Sequence, residues 1–480
     1  MARLLPSLAQ RTKIVCTIGP ASATSETLVK MITAGMDVAR LNFSHGSYDS
    51  NLALLEKVRT AADKVGRPVG ILLDLQGPKI RVGRLPDEGL ELIAGQMATL
   101  HAGVVEAAHG AIPVPYDRLA HDVGRGDRIL LDDGTRELEV LDVQGPIIRT
   151  KVLLGGRLLS HKGINVPTVG LSIESLTPKD DQDLQFGLKQ DIDFVALSFV
   201  RSAQDVQQLR DKITQYLPAG TAPPAIIVKI EKHEALANFD EILAVTDGVM
   251  IARGDLGLET SATQVPMRQK ELIAKCIVAS KPVITATQML DSMQRSPRPT
   301  RAEISDVANA VIDHTDAVML SGETAMGHYP VPAVTTMAQI ISDTEESPLD
   351  DLLPHRDAIG EPIPSAVAAA AVELARHINA ATILVTTHSG YSARVIARYR
   401  PATTIFAVTD SVRTQQKLLL TWGVVPFTLE GYEDPEQMSA KALEHLRQHY
   451  RVPAGSTIVV VAGLKRAKGS FDSAVRVVEL

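Results

Sequence analysis

Short apolar runs rich in β-branched residues alternate with segments of helical periodicity over the first two-thirds of the chain. Each run ends in polar or glycine residues. Eight runs follow this pattern: KIVCTIG (13–19), DVARLNFS (37–44), VGILLDL (69–75), FVALSFVR (194–201), AIIVKIE (225–231), GVMIARGD (248–255), PVITATQ (282–288) and AVMLSGE (317–323). Strands that alternate with helices predict a parallel sheet, and eight units favour a closed (β/α)₈ barrel, with an open doubly wound sheet as the alternative.

The alternation breaks between the third run and the fourth. Residues 79–165 lose the helical periodicity, and apolar and polar positions alternate between glycine and proline turns, as in DRILLDDGTRELEVLDV and IIRTKVLL. This pattern predicts antiparallel strands. We therefore expect a catalytic barrel formed by 1–77 and 166–346, with a β-rich domain, 78–165, inserted in one of its loops as a mobile lid.

A further α/β pattern follows a connector rich in proline and aspartate, EESPLDDLLPHRDAIGEPIPS. It predicts helices over 365–378, 390–399 and 411–421. The predicted strands are TILVTT, TTIFAVT and a late TIVVVAG. We expect residues 347–480 to form a separate, smaller α/β domain.

Composition narrows the function classes. A chain of 480 residues suggests two or three domains, and a net charge of -7 argues against a general nucleic-acid binder. No apolar run approaches the roughly 20 residues that span a bilayer. The two cysteines, Cys16 and Cys276, lie in apolar runs and are too few for a disulfide or metal framework, so we expect a cytoplasmic protein.

Polar residues are concentrated at the ends of the eight predicted strands. In a (β/α)₈ barrel these ends meet at one rim, where the active site lies. Any one of these residues could be a cap or a structural hydrogen-bonding group, but their density favours an active site. They are Arg40, Asn42, Ser44, Asp74, Lys229, Glu231, Arg253, Gly254, Asp255, Thr287, Gln288, Ser321 and Glu323.

Glu231 and Asp255 follow successive strands, so their carboxylates can converge on one Mg²⁺ ion and leave positions for water and substrate. The alternative is a structural ion pair between Glu231 and Lys229. A cation beside a metal site requires an anion between them, and the RGDLG turn offers backbone N–H groups that suit a carboxylate if a helix starts there. With Arg40 and Arg81 nearby, the rim predicts a small, multiply anionic substrate with a carboxylate and a phosphate.

Nine segments in order resemble the pyruvate kinase family. They are TKIVCTIGPAS, VARLNFSHG, LLDLQGPKIR, HKGINVP, VKIEKHEAL, MIARGDLGLE, ITATQMLDSM, RPTRAEISDVANAV and DAVMLSGETAMGHYP. The resemblance implies a (β/α)₈ barrel, an inserted β-barrel lid and a C-terminal α/β regulatory domain. It implies transfer of the phosphoryl group of phosphoenolpyruvate to ADP, giving pyruvate and ATP in the last step of glycolysis. It also implies a homotetramer in which Arg301 reaches across a subunit interface.

The same resemblance implies roles for individual rim residues. Glu231 and Asp255 match the ligands of Mg²⁺ (or Mn²⁺), and the backbone of Gly254 and Asp255 matches the pocket for the substrate carboxylate. Lys229 matches the lysine that stabilises the transferring phosphoryl group, and Arg40 matches the arginine that contacts the phosphate. Thr287 matches the threonine beside the enolate carbon. Because its hydroxyl is a poor acid, we expect it to position a water network that donates the proton.

The nucleotide and monovalent-cation sites follow from the resemblance as well. The positions around the nucleotide phosphates are Asn42, His45, Arg81 and Lys162. Many members hold K⁺ with residues equivalent to Asn42, Ser44, Asp74 and the carbonyl of Leu75. Those members have glutamate at the position of Lys79 and Thr-Lys at the position of Leu75-Gln76.

The departure at this cation site predicts that K⁺ is not required. The Leu-Gln-Lys combination with Val82 is the pattern of K⁺-independent relatives. The ammonium of Lys79 is a fixed charge that would repel a monovalent cation in the neighbouring hole. The alternative is that Lys79 pairs with Asp74 or faces solvent.

A phosphorylated effector is expected at the C-terminal domain. The strand–turn–helix segment TILVTTHSGYSARVIARYRP offers an anion site beside helix N–H groups, and the family uses this loop for a phosphorylated sugar. Its residues are Thr386, Thr387, Ser389, Gly390 and Ser392, with Lys465, Arg466 and Lys468 as a second phosphate contact. The alternative is an ordinary solvated basic loop, and the identity of the effector stays open.

Two other functions remain as alternatives at this point. Barrel lyases and mutases that use Mg²⁺ and phosphoenolpyruvate or pyruvate share a Glu/Asp metal pair, but they do not need Arg81, Lys162 or a lid over nucleotide phosphates. A non-catalytic metabolite sensor would use only the C-terminal anion site. Strict dependence of pyruvate formation on ADP separates these alternatives from the kinase.

Overall fold

Eight parallel strands close into a barrel in which each strand pairs with its neighbours along the chain. The computed structural model describes residues 10–106, 110–167, 169–351, 362–430, 435–450, 452–465 and 471–480. The barrel strands are β1 (Lys13–Thr17), β2 (Met36–Asn42), β3 (Gly70–Asp74), β4 (Phe194–Leu197), β5 (Ala225–Ile230), β6 (Gly248–Ala252), β7 (Val283–Ala286) and β8 (Ala317–Leu320). All eight predicted runs are therefore barrel strands, and the open sheet is excluded.

Helices surround the barrel and bury one face against it. Several begin at a hydroxyl cap, such as Thr24, Thr177 and Thr300, whose side chains accept a backbone N–H of the first turn. The α-helices are Ser25–Ala34, Tyr48–Val65, Pro178–Leu188, Ala203–Tyr216, His233–Ala237, Phe239–Val245, Arg253–Glu259, Val265–Val278, Arg301–Ile312, Gly322–Ala325 and Pro330–Glu345. Short 3₁₀ turns lie at Pro20–Ser22, Ala262–Gln264, Asp291–Gln294 and Pro348–Asp351.

The barrel has two apolar layers because side chains alternate along each strand. One set faces outward and packs under the helices. The other set fills the barrel interior with residues such as Leu72, Phe194 and Met250, so the barrel is a packed core. Leu419 and Leu420 of the C-terminal domain pack against this interior cluster.

The insertion is β-rich, as predicted, and has its own buried core between Ile80 and Leu171. Its strands are Leu90–Leu92, Met97–Ala102, Ile112–Val114, Arg128–Leu131, Arg136–Gln144, Ile147–Leu154, Gly156–Leu158 and Ile164–Asn165, with one short helix, Leu119–Asp122. These described strands form a six-stranded sheet and a separate two-stranded sheet. Residues 80–84 lie between its two edge strands, because Ile164 N donates to Ile80 O at 2.9 Å and Gly83 N donates to Pro113 O at 2.8 Å.

The strands of the insertion are not all antiparallel. Met97–Ala102 pairs in parallel with Ile112–Val114, while its other neighbour, Ile147–Leu154, is antiparallel. The longest pairing in the six-stranded sheet, Arg136–Gln144 with Ile147–Leu154, is an antiparallel hairpin. Alternation along the sequence predicts a half-buried strand but does not specify the direction of its partner.

The C-terminal domain is a five-stranded sheet flanked by helices. In sheet order the strands are Val424–Thr428, Ile405–Thr409, Thr382–Thr386, Thr457–Lys465 and Phe471–Glu479. The helices are Pro362–His377, Tyr391–Ala397, Val412–Leu418 and Pro435–His449. The three predicted strands are the central ones, and sequence reasoning missed both edge strands. None of the described helices is long and apolar enough to cross a membrane.

Candidate active site

Lys229 lies at the centre of the polar rim formed by the carboxyl ends of the barrel strands. Its Nζ lies 2.9 Å from Glu231 Oε1 and 3.6 Å from Asp74 Oδ1. It also donates a hydrogen bond of 2.9 Å to Ser198 Oγ. These partners belong to three neighbouring strand ends, β3, β4 and β5, so the barrel fold itself brings them around one ammonium group.

Asp74, the last residue of β3, contacts two cations. Arg40 Nε donates to Asp74 Oδ2 at 2.6 Å, and Arg40 Nη1 donates to Thr17 Oγ1 at 2.8 Å. Burial acts to raise the pKa of Asp74, but the attraction of Lys229 and Arg40 outweighs it and leaves this pKa below its usual value. Asp74 is therefore a carboxylate that orients both cations.

The pKa of Lys229 is shifted in the complementary direction. Burial acts to lower it, but the charges of Asp74 and Glu231 outweigh burial, and the pKa is raised above its usual value. The buried ammonium is therefore charged and held in one position. A pre-placed cation of this kind stabilises negative charge that develops during a reaction without having to reorganise.

Glu231 and Asp255 form a carboxylate pair that suits a divalent cation. Burial raises the pKa of Glu231 against the attraction of Lys229, and the charge of Asp255 raises it further. Glu231 Oε2 accepts from the backbone N–H of Phe199 at 2.7 Å, while the buried Oε1 has no hydrogen bond. A hard divalent cation would relieve the repulsion between the carboxylates, so these residues fit Mg²⁺ or Mn²⁺.

Gly254 and Thr287 meet where β6 and β7 end. The helix Arg253–Glu259 begins directly after β6, as the carboxylate-binding prediction required. Gly254 N donates to Thr287 Oγ1 at 2.8 Å. Thr287 has a φ of 70°, a left-handed conformation that β-branched residues rarely adopt. Arg253 Nη2 donates to its carbonyl at 2.9 Å and so supports this strained backbone.

Lys79 contacts Asp255 instead of Asp74. Its Nζ lies 3.5 Å from Asp255 Oδ1. Within the described ranges, the cations in contact with Asp74 are Arg40 and Lys229, so the alternative of a Lys79–Asp74 pair is wrong. Lys79 therefore adds a second ammonium group to the side of the rim where Asp255 lies.

Asn42, Ser44 and His45 form a tight turn after β2. Asn42 Oδ1 accepts from Ser44 N at 3.1 Å, and His45 N donates to Asn42 O at 3.3 Å. Asn42 is the register partner of Asp74 on the adjacent strand. The residues that the resemblance assigns to a monovalent-cation hole are therefore neighbours at the carboxyl ends of β2 and β3.

Arg81 and Lys162 lie side by side where the chain enters and leaves the insertion. Val82 N donates to Lys162 O at 2.8 Å, and Arg81 pairs with Gly163 in an antiparallel bridge. Arg81 Nη1 donates to His161 O at 3.1 Å, while Lys162 Nζ lies 3.0 Å from Asp132 Oδ1. The two cations are thus held on paired segments at the base of the insertion.

Two protein-family models match the sequence of this chain and together cover most of it. The model described as pyruvate kinase, barrel domain, matches residues 9–334, and the model described as pyruvate kinase, alpha/beta domain, matches residues 365–478. The chain belongs to the pyruvate kinase family. The resemblance predicted from sequence motifs is thereby confirmed.

Similar proteins across bacteria and beyond carry the same name. A pyruvate kinase from Bacillus licheniformis is 45% identical over 472 residues, which cover 96% of this chain and 79% of that protein. A pyruvate kinase 2 from Synechocystis sp. is 45% identical over 471 residues, 97% of this chain and 78% of the relative. A crystal structure of a pyruvate kinase from Cryptosporidium parvum has a TM-score of 0.89 at 37% identity, covering 99% of this chain and 98% of that one.

Membership of the pyruvate kinase family establishes the class of reaction. The chain is an enzyme, a kinase of glycolysis that forms pyruvate and ATP from phosphoenolpyruvate and ADP. Use of a divalent metal is general in this family, which agrees with the Glu231–Asp255 pair. The lyase, mutase and sensor alternatives are therefore set aside.

Sequence reasoning missed two hydroxyl groups in the rim network. Ser198, after β4, accepts from Lys229 and donates to Leu75 O at 2.8 Å. Thr17, at the end of β1, accepts from Arg40. The signal for both residues in the sequence is that each lies at the carboxyl end of a predicted strand. Conversely, Glu323 and Arg253 serve the backbone and neighbouring side chains, since Glu323 accepts from Leu290 N and Arg253 pairs with Asp306.

The loop of the pyruvate kinase α/β domain that was predicted to bind an effector contains two contrasting threonines. Thr386 Oγ1 is buried without a hydrogen-bond partner, while Thr387 Oγ1 accepts from Gly390 N at 3.0 Å. Ser389 and Ser392 lie beside the start of the helix Tyr391–Ala397. Lys465 ends a strand but its side chain is outside the described residues, as are Arg466 and Lys468. Arg301, the predicted interface residue, is exposed at the first position of its helix.

Proposed function

We propose that Lys229 is the residue around which the phosphoryl transfer from phosphoenolpyruvate to ADP takes place. The observation that carries this proposal is its charged, buried ammonium, fixed by Asp74, Glu231 and Ser198. The transition state of phosphoryl transfer is loose, so catalysis depends on positioning and on fixed positive charge. Arg40 binds the same phosphate from the opposite side of Asp74.

Glu231 and Asp255 are proposed to hold Mg²⁺ or Mn²⁺. When bound, the ion would neutralise charge on the substrate and on the transferring group. Lys229 and Lys79 each contact one oxygen of this pair, Glu231 Oε1 and Asp255 Oδ1, and so hold the carboxylates in place. Glu231 Oε2 is oriented by Phe199 N, which fixes the plane of the ligand.

Thr287 is proposed to orient the substrate at the enolate carbon, beside a carboxylate pocket formed by the backbone of Gly254 and Asp255. Its oxygen accepts the Gly254 N–H, so its own hydroxyl proton is directed elsewhere and can be donated. A threonine hydroxyl is too weak an acid to protonate the enolate, and a water network held by Thr287 supplies that proton.

Asn42, His45, Arg81 and Lys162 are proposed to contact the phosphates of ADP. The support is that Arg81 and Lys162 lie on paired segments at the base of the insertion, so both cations follow any movement of that domain. Closure of the lid would bring them together onto the nucleotide and exclude water from the transferring group.

We propose that catalysis does not require K⁺ because Lys79 supplies the positive charge near the Asn42, Ser44 and Asp74 site. The contact between Lys79 and Asp255 supports a fixed ammonium on this rim. Activity measured with Mg²⁺ in a buffer free of K⁺ and Na⁺ should change little on addition of KCl. Lys79→Glu should be strongly stimulated by KCl, and Lys79→Met should be impaired without gaining that stimulation. Strong KCl stimulation of the unmodified enzyme would contradict the proposal.

Regulation and assembly are proposed from the C-terminal domain and the exposed Arg301. A phosphorylated effector would bind at Thr386, Thr387, Ser389, Gly390 and Ser392, and four subunits would associate through the region of Arg301. We place the enzyme in the cytoplasm, which agrees with two buried, unpaired thiols, Cys16 and Cys276. A panel of sugar phosphates and nucleotides, tested for effects on the phosphoenolpyruvate saturation curve, checks the effector site, and light scattering checks the tetramer.

The activity itself is tested by pyruvate formation coupled to NADH oxidation by lactate dehydrogenase. We expect pyruvate and ATP in equal amounts, with no pyruvate when ADP is omitted. Removal of divalent metal should abolish the activity, and Asp255→Asn should raise the Mg²⁺ concentration needed for half-maximal rate. Consumption of phosphoenolpyruvate without ADP would instead indicate lyase or mutase chemistry.

A further inference from the structure

A second group of metal-binding side chains lies beside the Glu231–Asp255 pair. His233, Glu234 and Glu259 each offer one ligand atom, and these atoms all lie within 4.8 Å of one another. His233 and Glu234 begin the helix that follows β5, and Glu259 ends the helix that follows β6. The group therefore lies between the two segments that carry Glu231 and Asp255, but it uses none of the catalytic side chains.

The distances from the imidazole nitrogen to the two carboxylate oxygens fit a small tetrahedral ion. His233 Nδ1 is 3.1 Å from Glu234 Oε2 and 3.6 Å from Glu259 Oε2. Ligands bound to Zn²⁺ at about 2.0 Å in a tetrahedron lie about 3.3 Å from one another. The side chains thus need little movement to bind one ion, with a fourth position left for water.

All three atoms are buried and make no hydrogen bond. Glu259 is the most informative because its side chain is 1% exposed. Its Oε1 accepts from Lys232 Nζ at 2.7 Å and from Asn165 Nδ2 at 3.4 Å. These contacts fix the carboxylate so that Oε2 is directed at His233. A buried oxygen without a partner is costly, and a cation would remove that cost.

The donor set distinguishes this group from the catalytic pair. An imidazole nitrogen suits Zn²⁺ and other transition metals, whereas Mg²⁺ prefers oxygen ligands and near-octahedral geometry. The side chains of His233 and Glu234 are 31% and 21% exposed, so an ion can enter from solvent. The group is closed on the inner side by Glu259.

We propose that His233, Glu234 and Glu259 form a Zn²⁺ site that braces the catalytic segments. Glu231 lies two residues before His233, and Asp255 lies four residues before Glu259. A bound ion would therefore link the backbone that carries one catalytic carboxylate to the helix that carries the other. Through the Asn165 contact with Glu259, the link extends to the end of the insertion.

The test uses the full-length enzyme with excess Mg²⁺, which occupies the catalytic pair. Zn²⁺ is titrated by calorimetry, and Co²⁺ is used as a visible probe of tetrahedral coordination. We expect one equivalent of Zn²⁺ per chain, a tetrahedral Co²⁺ spectrum and a rise in thermal midpoint. His233→Asn and Glu234→Gln should each weaken Zn²⁺ binding by at least roughly 10- to 100-fold, the loss typical for altered metal sites.

Two control variants separate this site from others. His377→Asn removes an exposed histidine that contacts Glu373 one helical turn away, and it should leave the Zn²⁺ affinity unchanged. Asp255→Asn alters the catalytic pair and should retain the tetrahedral Co²⁺ spectrum. The proposal is overturned if Zn²⁺ does not bind or if excess Mg²⁺ displaces it. It is also overturned if His233→Asn and Glu234→Gln both bind Zn²⁺ with the affinity of the unmodified enzyme. None of these outcomes would contradict the conclusion that the chain is a pyruvate kinase.

Discussion

The two ends of the barrel both carry carboxylates, but they use them differently. At the carboxyl ends of the strands, Asp74 and Glu231 contact the side-chain cation Lys229, the proposed centre of phosphoryl transfer. At the amino ends, four aspartates each accept a backbone N–H from the neighbouring strand. They are Asp37 from Ile14, Asp193 from Ile71, Asp247 from Ile226 and Asp316 from Val283.

The four aspartates repeat around the barrel with a regular spacing. Each stands at or just before an even-numbered strand, β2, β4, β6 or β8, and reaches back to the odd-numbered strand before it. Each also pairs with an arginine. The pairs are Asp37–Arg67, Asp193–Arg413, Asp247–Arg210 and Asp316–Arg400.

This difference shows that position, not residue type, decides the role of a barrel carboxylate. At the carboxyl-end rim a carboxylate orients cations toward a substrate. At the opposite end it satisfies the first N–H groups of the sheet and joins the barrel to the C-terminal domain, since Arg400 and Arg413 belong to that domain. In (β/α)₈ enzymes the first end is expected to govern activity and the second stability.

The largest effect is expected from Lys229→Met at the rim. The substitution removes the cation proposed to stabilise the transferring phosphoryl group, so kcat should fall roughly 10³- to 10⁵-fold, as when an arginine finger is lost. The coupled lactate dehydrogenase assay measures it. Lys275→Met, which breaks an exposed pair with Asp240, is the control and should retain full activity. A Lys229→Met enzyme with near-normal kcat would place the reaction elsewhere.

The next effect is expected from Arg400→Met at the opposite end. Arg400 and Asp316 are 4% and 6% exposed, and Arg400 also donates to His314 O and lies over the Trp422 ring. Loss of the guanidinium leaves a buried carboxylate with only two backbone donors, which should lower the free energy of unfolding by about 3–5 kcal/mol.

The readout for Arg400→Met is the urea midpoint at fixed protein concentration, followed by kcat without urea. If the amino-end rim of the barrel serves stability, the urea midpoint of Arg400→Met should fall strongly. The kcat of its folded fraction should be nearly unchanged. If kcat fell while the midpoint stayed constant, the separation of roles between the two ends would be wrong.

A third effect concerns pH and Asp193. Burial raises the pKa of Asp193 to about 6, against the Ile71 N–H and Arg413, which lower it. A raised carboxyl pKa means that the folded state favours the protonated form. The resulting stability is present below the unfolded pKa near 4 and is lost as pH rises to about 6, a difference of about 3 kcal/mol.

Asp193→Asn should remove this dependence. The free energy of unfolding of the unmodified chain minus that of the variant should therefore fall between pH 4 and pH 6.5. Asp211→Asn, at an exposed position that contacts Gln207, is the control and should follow the unmodified chain. A constant difference over this interval would show that Asp193 does not titrate there.

Sequence alone predicted the barrel because each of its strands is a short apolar run with chemistry at its end. The rim residues followed from the rule that such ends converge. Ser198 was missed because a serine after a strand has no distinct signal until its partner, Lys229, is placed beside it. The edge strand Val424–Thr428 was missed because Pro426 argues against a strand, although an edge strand tolerates proline.

The aspartates at the amino ends are visible in the sequence as an acid before an apolar run, in MDVAR, IDFVA, TDGVM and TDAVM. Their partners are not. Arg400 is 84 residues from Asp316, and Arg413 is 220 residues from Asp193. Such pairs depend on how one domain docks on another, which local periodicity does not encode. The nucleotide and effector assignments rest on resemblance and stay predictions.

The smallest effect on stability is expected from the most exposed of the four aspartate–arginine pairs. Arg210 and Asp247 have the same arrangement as Arg400 and Asp316, but their side chains are 32% and 40% exposed. Solvent screens such a pair, so Arg210→Met should lower the free energy of unfolding by only about 0–1 kcal/mol. Asp247 would keep the Ile226 N–H, and both partners belong to the barrel, so domain docking should not change. Urea midpoints of Arg210→Met and Arg400→Met measured together test this ranking. Equal losses would mean that the aspartate–arginine pairs act as one network around the barrel, instead of each contributing according to its own burial.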